Sequence, residues 1–196
     1  MEISGRLERT HPQSIMFDRL DTGSAYWGTL GDGLWKTNDS GQTWNRIGKD
    51  EFYTPNITSV SVSSLKEETD RFNKVYVGTE PSALYVSNDK CESWERLSDL
   101  NNLKSSALWS FPPRPWTHHI RWIEPDINNL NYIFVAIEAG ALVKSHDGGR
   151  TWIDRIKEGP YDTLWQLIKR HLKGYTHLQT MVILKVLIME TLGIDL

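Results

Sequence analysis

Thr37-Asn-Asp-Ser-Gly-Gln-Thr-Trp44 is the stretch of sequence that decides the fold, because the chain repeats its pattern twice more. The second copy is Ser87-Asn-Asp-Lys-Cys-Glu-Ser-Trp94, and the third is Ser145-His-Asp-Gly-Gly-Arg-Thr-Trp152. In each copy the aspartate precedes the tryptophan by five positions. A small residue precedes each aspartate by eleven positions: Gly28, Gly78 and Ala136. Three copies with one internal register indicate a repeat protein.

Each repeat has the pattern of four short strands. In the second repeat an apolar run at 75–77 leads through a turn into a run at 84–86, and another begins at Trp94. Upstream apolar segments at 57–62 and 120–124 supply a further strand. Four antiparallel strands that recur every 40 to 60 residues or so are typical of a β-propeller blade. The sequence therefore predicts an all-β partial propeller with blades at about 12–48, 56–98 and 118–157, the first lacking part of its inner strand.

The polar turn of each repeat has a structural explanation. Its aspartate can accept hydrogen bonds from backbone N–H groups and nearby hydroxyls, its glycine supplies positive φ, and its tryptophan is large enough to fill the space between sheets. Cys91 stands in the glycine position of the second turn, where positive φ would cost about 1 kcal/mol. We interpret the following residues as structural: Asp39, Gly41, Trp44, Asp89, Trp94, Asp147, Gly149 and Trp152.

These turns resemble the Asp box, or bacterial neuraminidase repeat, over roughly residues 12 to 160. Propellers with this box include sialidases, other glycoside hydrolases, sortilin-type receptors and photosystem II assembly factors. Closed propellers have 4 to 8 blades, so the resemblance implies a truncated member of the superfamily. It also implies a ligand site on the face opposite the Asp boxes.

The long connection 98–118 and two inter-strand turns are expected on that face. Long loops on a rigid scaffold commonly carry binding residues. Strand alternation predicts His119, Arg121 and Ile123 on one side of the next strand, and Ile120 and Trp122 on the other. The candidate ligand-binding residues are Arg114, Trp116, His118, His119, Arg121, Glu80 and Glu138. In the other interpretation, which is the preferred one for this segment, the loop folds over the propeller and buries its own tryptophans, and Arg121 and Glu124 pair with neighbours.

The preferred function is a non-catalytic repeat scaffold that binds a protein or a glycan. The alternative is a sialidase-like glycoside hydrolase or an inactive fragment of one. The segment Arg121-Trp-Ile-Glu-Pro125 matches the Arg-Ile-Pro motif of sialidases only loosely, and the sequence does not fix the separation of a catalytic carboxylate pair. We assign no catalytic residue and no cofactor. His118 and His119 are adjacent in a strand and so point to opposite faces, which argues against a metal site.

The composition of the chain indicates which binding partners and which cellular compartment to expect. The net charge is −3, and Cys91 is the single cysteine, so neither nucleic acid nor an anionic membrane is an expected partner and no intrachain disulfide can form. The first ten residues contain no apolar core of signal-peptide length. We expect a cytoplasmic protein.

Residues 161–196 form an atypical hydrophobic tail with eight leucines and no proline. Helices are predicted at 162–172 and, unless it is a buried strand, at 178–192; the second is too short and too charged to span a membrane. One interpretation is an amphipathic cap on the last blade. The preferred hypothesis is that the tail is frameshifted, because a neighbouring reading frame can encode a fourth repeat. Three blades leave open blade faces, through which self-association is possible.

Overall fold

The computed structural model describes residues 10–63, 72–109, 117–138 and 140–154. The chain divides into two units, 1–156 and 157–196, and every described residue belongs to the first. The predictions for the tail, for Arg114 and for Trp116 lie outside the described residues. Within the described ranges, no helix is long and apolar enough to cross a membrane.

Three four-stranded antiparallel sheets follow one another along the chain, each with its strands in chain order. The first blade consists of β1 His11–Phe17, β2 Ala25–Leu30, β3 Leu34–Thr37 and β4 Asn45–Ile47. The second consists of β5 Ile57–Val62, β6 Val75–Thr79, β7 Leu84–Ser87 and β8 Glu95–Arg96. The third consists of β9 His119–Pro125, β10 Ile133–Glu138, β11 Leu142–Ser145 and β12 Ile153–Asp154, and two 3-10 helices, Ser98–Asn102 and Lys104–Leu108, precede it. The all-β partial propeller is therefore confirmed.

The inner strand of the first blade is complete. β1 contains seven residues, as does β9, the inner strand of the third blade. The expectation that the first blade lacks part of this strand is wrong. The reason is that β1 begins with His-Pro-Gln-Ser, a polar stretch that gives no apolar strand signal, although it pairs with β2 from His11 to Phe17.

Each inner strand carries a bulge where it pairs with the second strand of its blade. In the third blade Ile120 faces Ile137 and Trp122 faces Ala136, so Arg121 is the extra residue. A bulge reverses the alternation of side chains beyond it. Ile120 and Ile123 consequently pack into the same apolar cluster, and the prediction that placed them on opposite sides of the strand is wrong.

Apolar clusters fill the two interfaces between successive blades. At the interface between the second and third blades, Ile120 is completely buried against Gly78, where a Cβ added to the glycine would lie only 2.6 Å from Ile120 Cγ2. The bulge residue Thr58 donates its hydroxyl to the carbonyl of Ile120, at 2.7 Å. Because glycine has no side chain, the two blades approach closely enough here to bury Ile120. Burying a side chain such as isoleucine contributes about 1.5–3 kcal/mol to stability.

The polar turns at 37–44, 87–94 and 145–152, here called the aspartate turns, share one hydrogen-bond pattern. Asp39 Oδ1 accepts the Thr43 amide at 2.8 Å and the Thr37 hydroxyl at 2.7 Å, and Oδ2 accepts the Thr43 hydroxyl at 2.6 Å. The hydroxyl and amide of Thr43 lower the pKa of Asp39 to about 2. Equivalent bonds hold the other two aspartates in their own turns. The three carboxylates therefore stabilise three separate turns.

The second aspartate turn accommodates a cysteine in a left-handed conformation. Cys91 has φ +74°, close to the +88° of Gly41 and the +94° of Gly149 at the equivalent positions. The tryptophans of the turns differ in burial: Trp152 is buried, whereas Trp44 and Trp94 are only partly buried. The expectation that all three are mostly buried is therefore met, most completely by Trp152, which packs in the cluster between the second and third blades.

Candidate functional site

Two glutamates occupy equivalent positions in successive blades, on the face opposite the aspartate turns. Glu80 follows Thr79, which pairs with Ile57, and Glu138 follows Ile137, which pairs with Ile120. Both residues enter the turn between the second and third strands of their blade. Adjacent blades therefore each carry a glutamate at the same position on this face, as the position of these turns in the sequence predicts.

The carboxylate of Glu138 is bound by two residues of β9. His119 Nε2 lies 2.6 Å from Glu138 Oε2, and Arg121 Nε lies 3.7 Å from the same oxygen. The three side chains are largely covered, with 12% of His119, 17% of Arg121 and 22% of Glu138 exposed. His119 faces Glu138 across the two strands, and the bulge brings Arg121 to the same carboxylate. Three predicted site residues are thus brought together.

The carboxylate of Glu80 reaches the neighbouring blade instead. It accepts a hydrogen bond from the hydroxyl of Thr117, which lies two residues before β9. The backbone of Glu80 is fixed from the other side, since its amide donates to the carbonyl of Asn56 at 3.0 Å and its carbonyl accepts the hydroxyl of Thr54 at 3.2 Å. Thr117 was not among the predicted site residues, because its one signal in the sequence is its position just before the inner strand.

His118 packs against the end of the preceding connection. Its ring meets Trp109 edge-on at a centroid distance of 5.4 Å, and Trp109 is 4% exposed. Burial, followed by the charge of His119, lowers the pKa of His118. A lowered pKa keeps this imidazole neutral at pH 7. For Trp109, the structure agrees with the alternative in which the connection buries its own tryptophans, so this ring offers no open platform for stacking.

The cluster formed by Glu80, Thr117, His119, Arg121 and Glu138, here called the β9 cluster, is suited to hydrogen-bonded recognition. It combines carboxylate acceptors with guanidinium and imidazole donors at a partly covered surface. Glu138 is held by two nitrogen groups and so is poorly placed to protonate a leaving group, which a glycosidase requires of its acid. Within the described ranges no three His, Cys, Asp or Glu side chains are grouped as a metal site would need.

Comparison with known proteins supports the fold. No protein-family model and no curated protein matches this sequence. Among solved structures, YCF48 from Cyanidioschyzon merolae matches with a TM-score of 0.54 at 18% identity, over 80% of this chain and 40% of that one. A structure of YCF48 bound to D1 peptide matches with a TM-score of 0.52 at 19% identity, over 76% and 42%. The glycoside hydrolase family 74 xyloglucanase from Xanthomonas campestris matches with a TM-score of 0.52 at 18% identity, over 74% and 22%.

These three structures are considerably longer than this chain, which spans less than half of each of them. They include a protein with a bound peptide and a carbohydrate-degrading enzyme, and at this level of identity the likeness concerns the fold. The described part of the chain is therefore a partial β-propeller.

Proposed function

We propose that the chain is a non-catalytic propeller scaffold of the Asp-box type that binds an extended segment of another protein. The segment would lie across the β9 cluster, on the face opposite the aspartate turns. The observation that carries this proposal is the repeated carboxylate: Glu80 and Glu138 stand at equivalent positions of adjacent blades, and residues at or just before β9 hold both. An extended peptide has backbone hydrogen-bond donors and acceptors at a regular spacing, and glutamates repeated from one blade to the next can accept hydrogen bonds from it.

Two further observations favour a peptide over a sugar. The aromatic ring next to the cluster, Trp109, is buried, whereas carbohydrate sites usually expose an aromatic face. The YCF48 structure with D1 peptide gives a precedent for a propeller of similar fold that binds a peptide. A glycan remains the second ligand class to be tested.

A glycoside hydrolase is the second candidate function, and the family 74 enzymes among the similar structures are the observation that favours it. The local chemistry does not favour a glycoside hydrolase, because the Glu138 carboxylate is already engaged by His119 and Arg121. Hydrolysis of an aryl sialoside or of an aryl glucoside by the purified chain, abolished by Arg121→Ala, would favour the enzyme over the scaffold.

The scaffold is tested by selecting ligands for the full chain from a random dodecapeptide phage library and, in parallel, from a glycan array. The best ligand is then measured by isothermal titration calorimetry. We expect a peptide whose affinity falls at least about fivefold with Glu138→Gln, since this change weakens charge-assisted hydrogen bonds. Glu92→Gln, on the exposed aspartate-turn side, is the control and should leave the affinity unchanged. Equal loss with both variants, or selection of glycans alone, would contradict the proposal.

A further inference from the structure

The face opposite the aspartate turns presents one equivalent position in each of the three blades. Strand pairing matches Glu138, which faces His119, with Leu30, which ends β2 opposite the first residue of β1. Glu80 is the third member, because its amide donates to the carbonyl of Asn56, the residue just before β5, at 3.0 Å. The three positions therefore carry a leucine, a glutamate and a glutamate in the order of the blades.

The two glutamates differ in the partners that their own blades supply. His119 and Arg121 hold Glu138, and Arg121 is the extra residue of the bulge in β9. The second blade has Asn56 and its own bulge residue, Thr58, at the equivalent positions, and neither of these side chains carries a charge. The glutamate of the second blade therefore lacks both of the nitrogen groups that hold its counterpart in the third blade.

Glu80 is consequently a partly buried carboxylate without a cationic partner among the described residues. Its side chain accepts the hydroxyl of Thr117, whereas the ion pairs found within the described ranges involve the carboxylates of Asp32 and Glu138. A carboxylate can accept several hydrogen bonds, and the strongest come from charged donors. Because Thr117 is a neutral donor, the carboxylate of Glu80 favours a cationic side chain from a ligand.

Leu30 gives the same face an apolar contact on the first blade, since its side chain is 39% exposed. The Gly33 amide, in the turn after Leu30, donates to the carbonyl of Pro55 at 2.9 Å. The neighbouring Thr54 donates its hydroxyl to the carbonyl of Glu80 at 3.2 Å, so one short segment joins the two positions. Packed sheets lie about 10 Å apart and an extended chain advances about 3.3 Å per residue, so side chains about three residues apart would reach both positions.

We propose that the peptide bound on this face carries a lysine or arginine side chain that pairs with Glu80, and an apolar side chain about three residues away that packs on Leu30. This inference rests on the function proposed for the β9 cluster and names the kind of peptide that the cluster selects. The cationic group would complete at Glu80 the charge pairing that Arg121 makes with Glu138. The second blade thus provides specificity for a cation, and the first blade provides specificity for an apolar residue.

Selection from the random dodecapeptide phage library, carried out on the full chain and on its Glu80→Lys variant, tests the cation. Peptides that bind the original chain should be enriched in lysine or arginine with an apolar residue about three positions away. With Glu80→Lys this enrichment should give way to aspartate or glutamate. Binders without an enriched basic residue, or the same basic residue enriched with both proteins, would overturn this inference and leave the scaffold proposal standing. Failure to select any peptide, or equal loss of affinity with Glu138→Gln and Glu92→Gln, would contradict the scaffold and this inference with it.

Calorimetry with the best selected peptide measures the pairing directly and does not depend on the folding of Glu80→Lys. Replacing the basic residue of the peptide by norleucine should weaken its binding about tenfold or more, because a charge-assisted hydrogen bond is lost. The same replacement should have little effect on binding to Glu80→Gln, which keeps an acceptor for the Thr117 hydroxyl. It should have its full effect on binding to Glu92→Gln, the exposed control on the aspartate-turn side. An equal effect with both variants would show that the basic residue is bound elsewhere, which overturns the inference.

A second pair of variants tests the apolar contact. Leu30→Ser should weaken the selected peptide about threefold or more, because apolar surface buried by the peptide is lost. Ile153→Ser, on the third blade and with a similar exposure of 44%, is the matched control and should leave the affinity unchanged. Equal effects of the two substitutions would overturn the assignment of the apolar residue to Leu30.

Discussion

Replacing Gly78 by alanine tests the close contact between the second and third blades. The added Cβ would lie 2.4 Å from Ser59 Oγ, 2.6 Å from Ile120 Cγ2 and 2.7 Å from Ile120 Cβ. Real Cβ atoms essentially never lie within 3.0 Å of a heavy atom outside their own and the two adjacent residues, so something must move. Ile120 Cβ is attached directly to the backbone of β9, and the Thr58 hydroxyl donates a hydrogen bond to the carbonyl of Ile120. We therefore expect β9 to shift away from β6.

Two opposing effects set the change in the free energy of unfolding that Gly78→Ala should cause. Forcing an additional methyl group into a packed core costs about 1–3 kcal/mol. Alanine is favoured over glycine in the interior of a strand by about 0.5–1 kcal/mol. The net expectation is a loss of about 1–2 kcal/mol in the free energy of unfolding, which lowers the Tm of a chain of this size by about 2–8 °C. Urea and thermal unfolding of the full chain, followed by tryptophan fluorescence, measure both quantities.

A double-mutant cycle separates the steric effect from a general loss of stability. Ile120→Ala removes Cγ2, so Gly78→Ala should cost less in that background than in the original protein. Gly31→Ala is the matched control: nothing lies within 4 Å of its added Cβ, and its φ of +88° makes the cost one of backbone strain. That cost should be the same with and without Ile120→Ala, within about 0.5 kcal/mol. A steric contact between Gly78 and Ile120 is refuted if Gly78→Ala is as stable as the original protein, or if its cost is also independent of Ile120→Ala.

Three further predictions concern the aspartate turns. Trp152→Ala should lower the free energy of unfolding by about 3–5 kcal/mol because Trp152 is buried, and Trp44→Ala should cost distinctly less because Trp44 is partly exposed; urea unfolding of the two variants would show the order. The hydroxyl of Thr151 and the other donors of its turn lower the pKa of Asp147 from 3.8 to about 2, so the contribution of the Asp147 carboxylate to stability is present above pH 3.8 and is lost as the pH falls through about 2. Asp147→Asn should therefore flatten the dependence of the free energy of unfolding on pH in this window. An unchanged dependence would contradict the role given to Asp147. Burial raises the pKa of Cys91 to about 11, so the native protein should react slowly with iodoacetamide at pH 8 and rapidly in urea; rapid labelling of the native chain would mean that the thiol is accessible.

The aspartate turns and their strands could be predicted from the sequence because the interactions that form them are local. Each aspartate bonds to residues at most four positions away, and each glycine or Cys91 takes the left-handed conformation within the same turn. Such short-range requirements leave a fixed spacing in the sequence. The same spacing placed Glu80 and Glu138 in equivalent turns, so the face of the candidate site could also be predicted.

The tertiary structure decided which side chains meet on that face. The bulge in β9 depends on its pairing with β10, and it brings Arg121 to Glu138 and puts Ile120 on the same side as Ile123. The hydrogen bond between Thr117 and Glu80 joins two blades. These features depend on contacts between residues distant in the chain, and the local pattern of residue types does not record them.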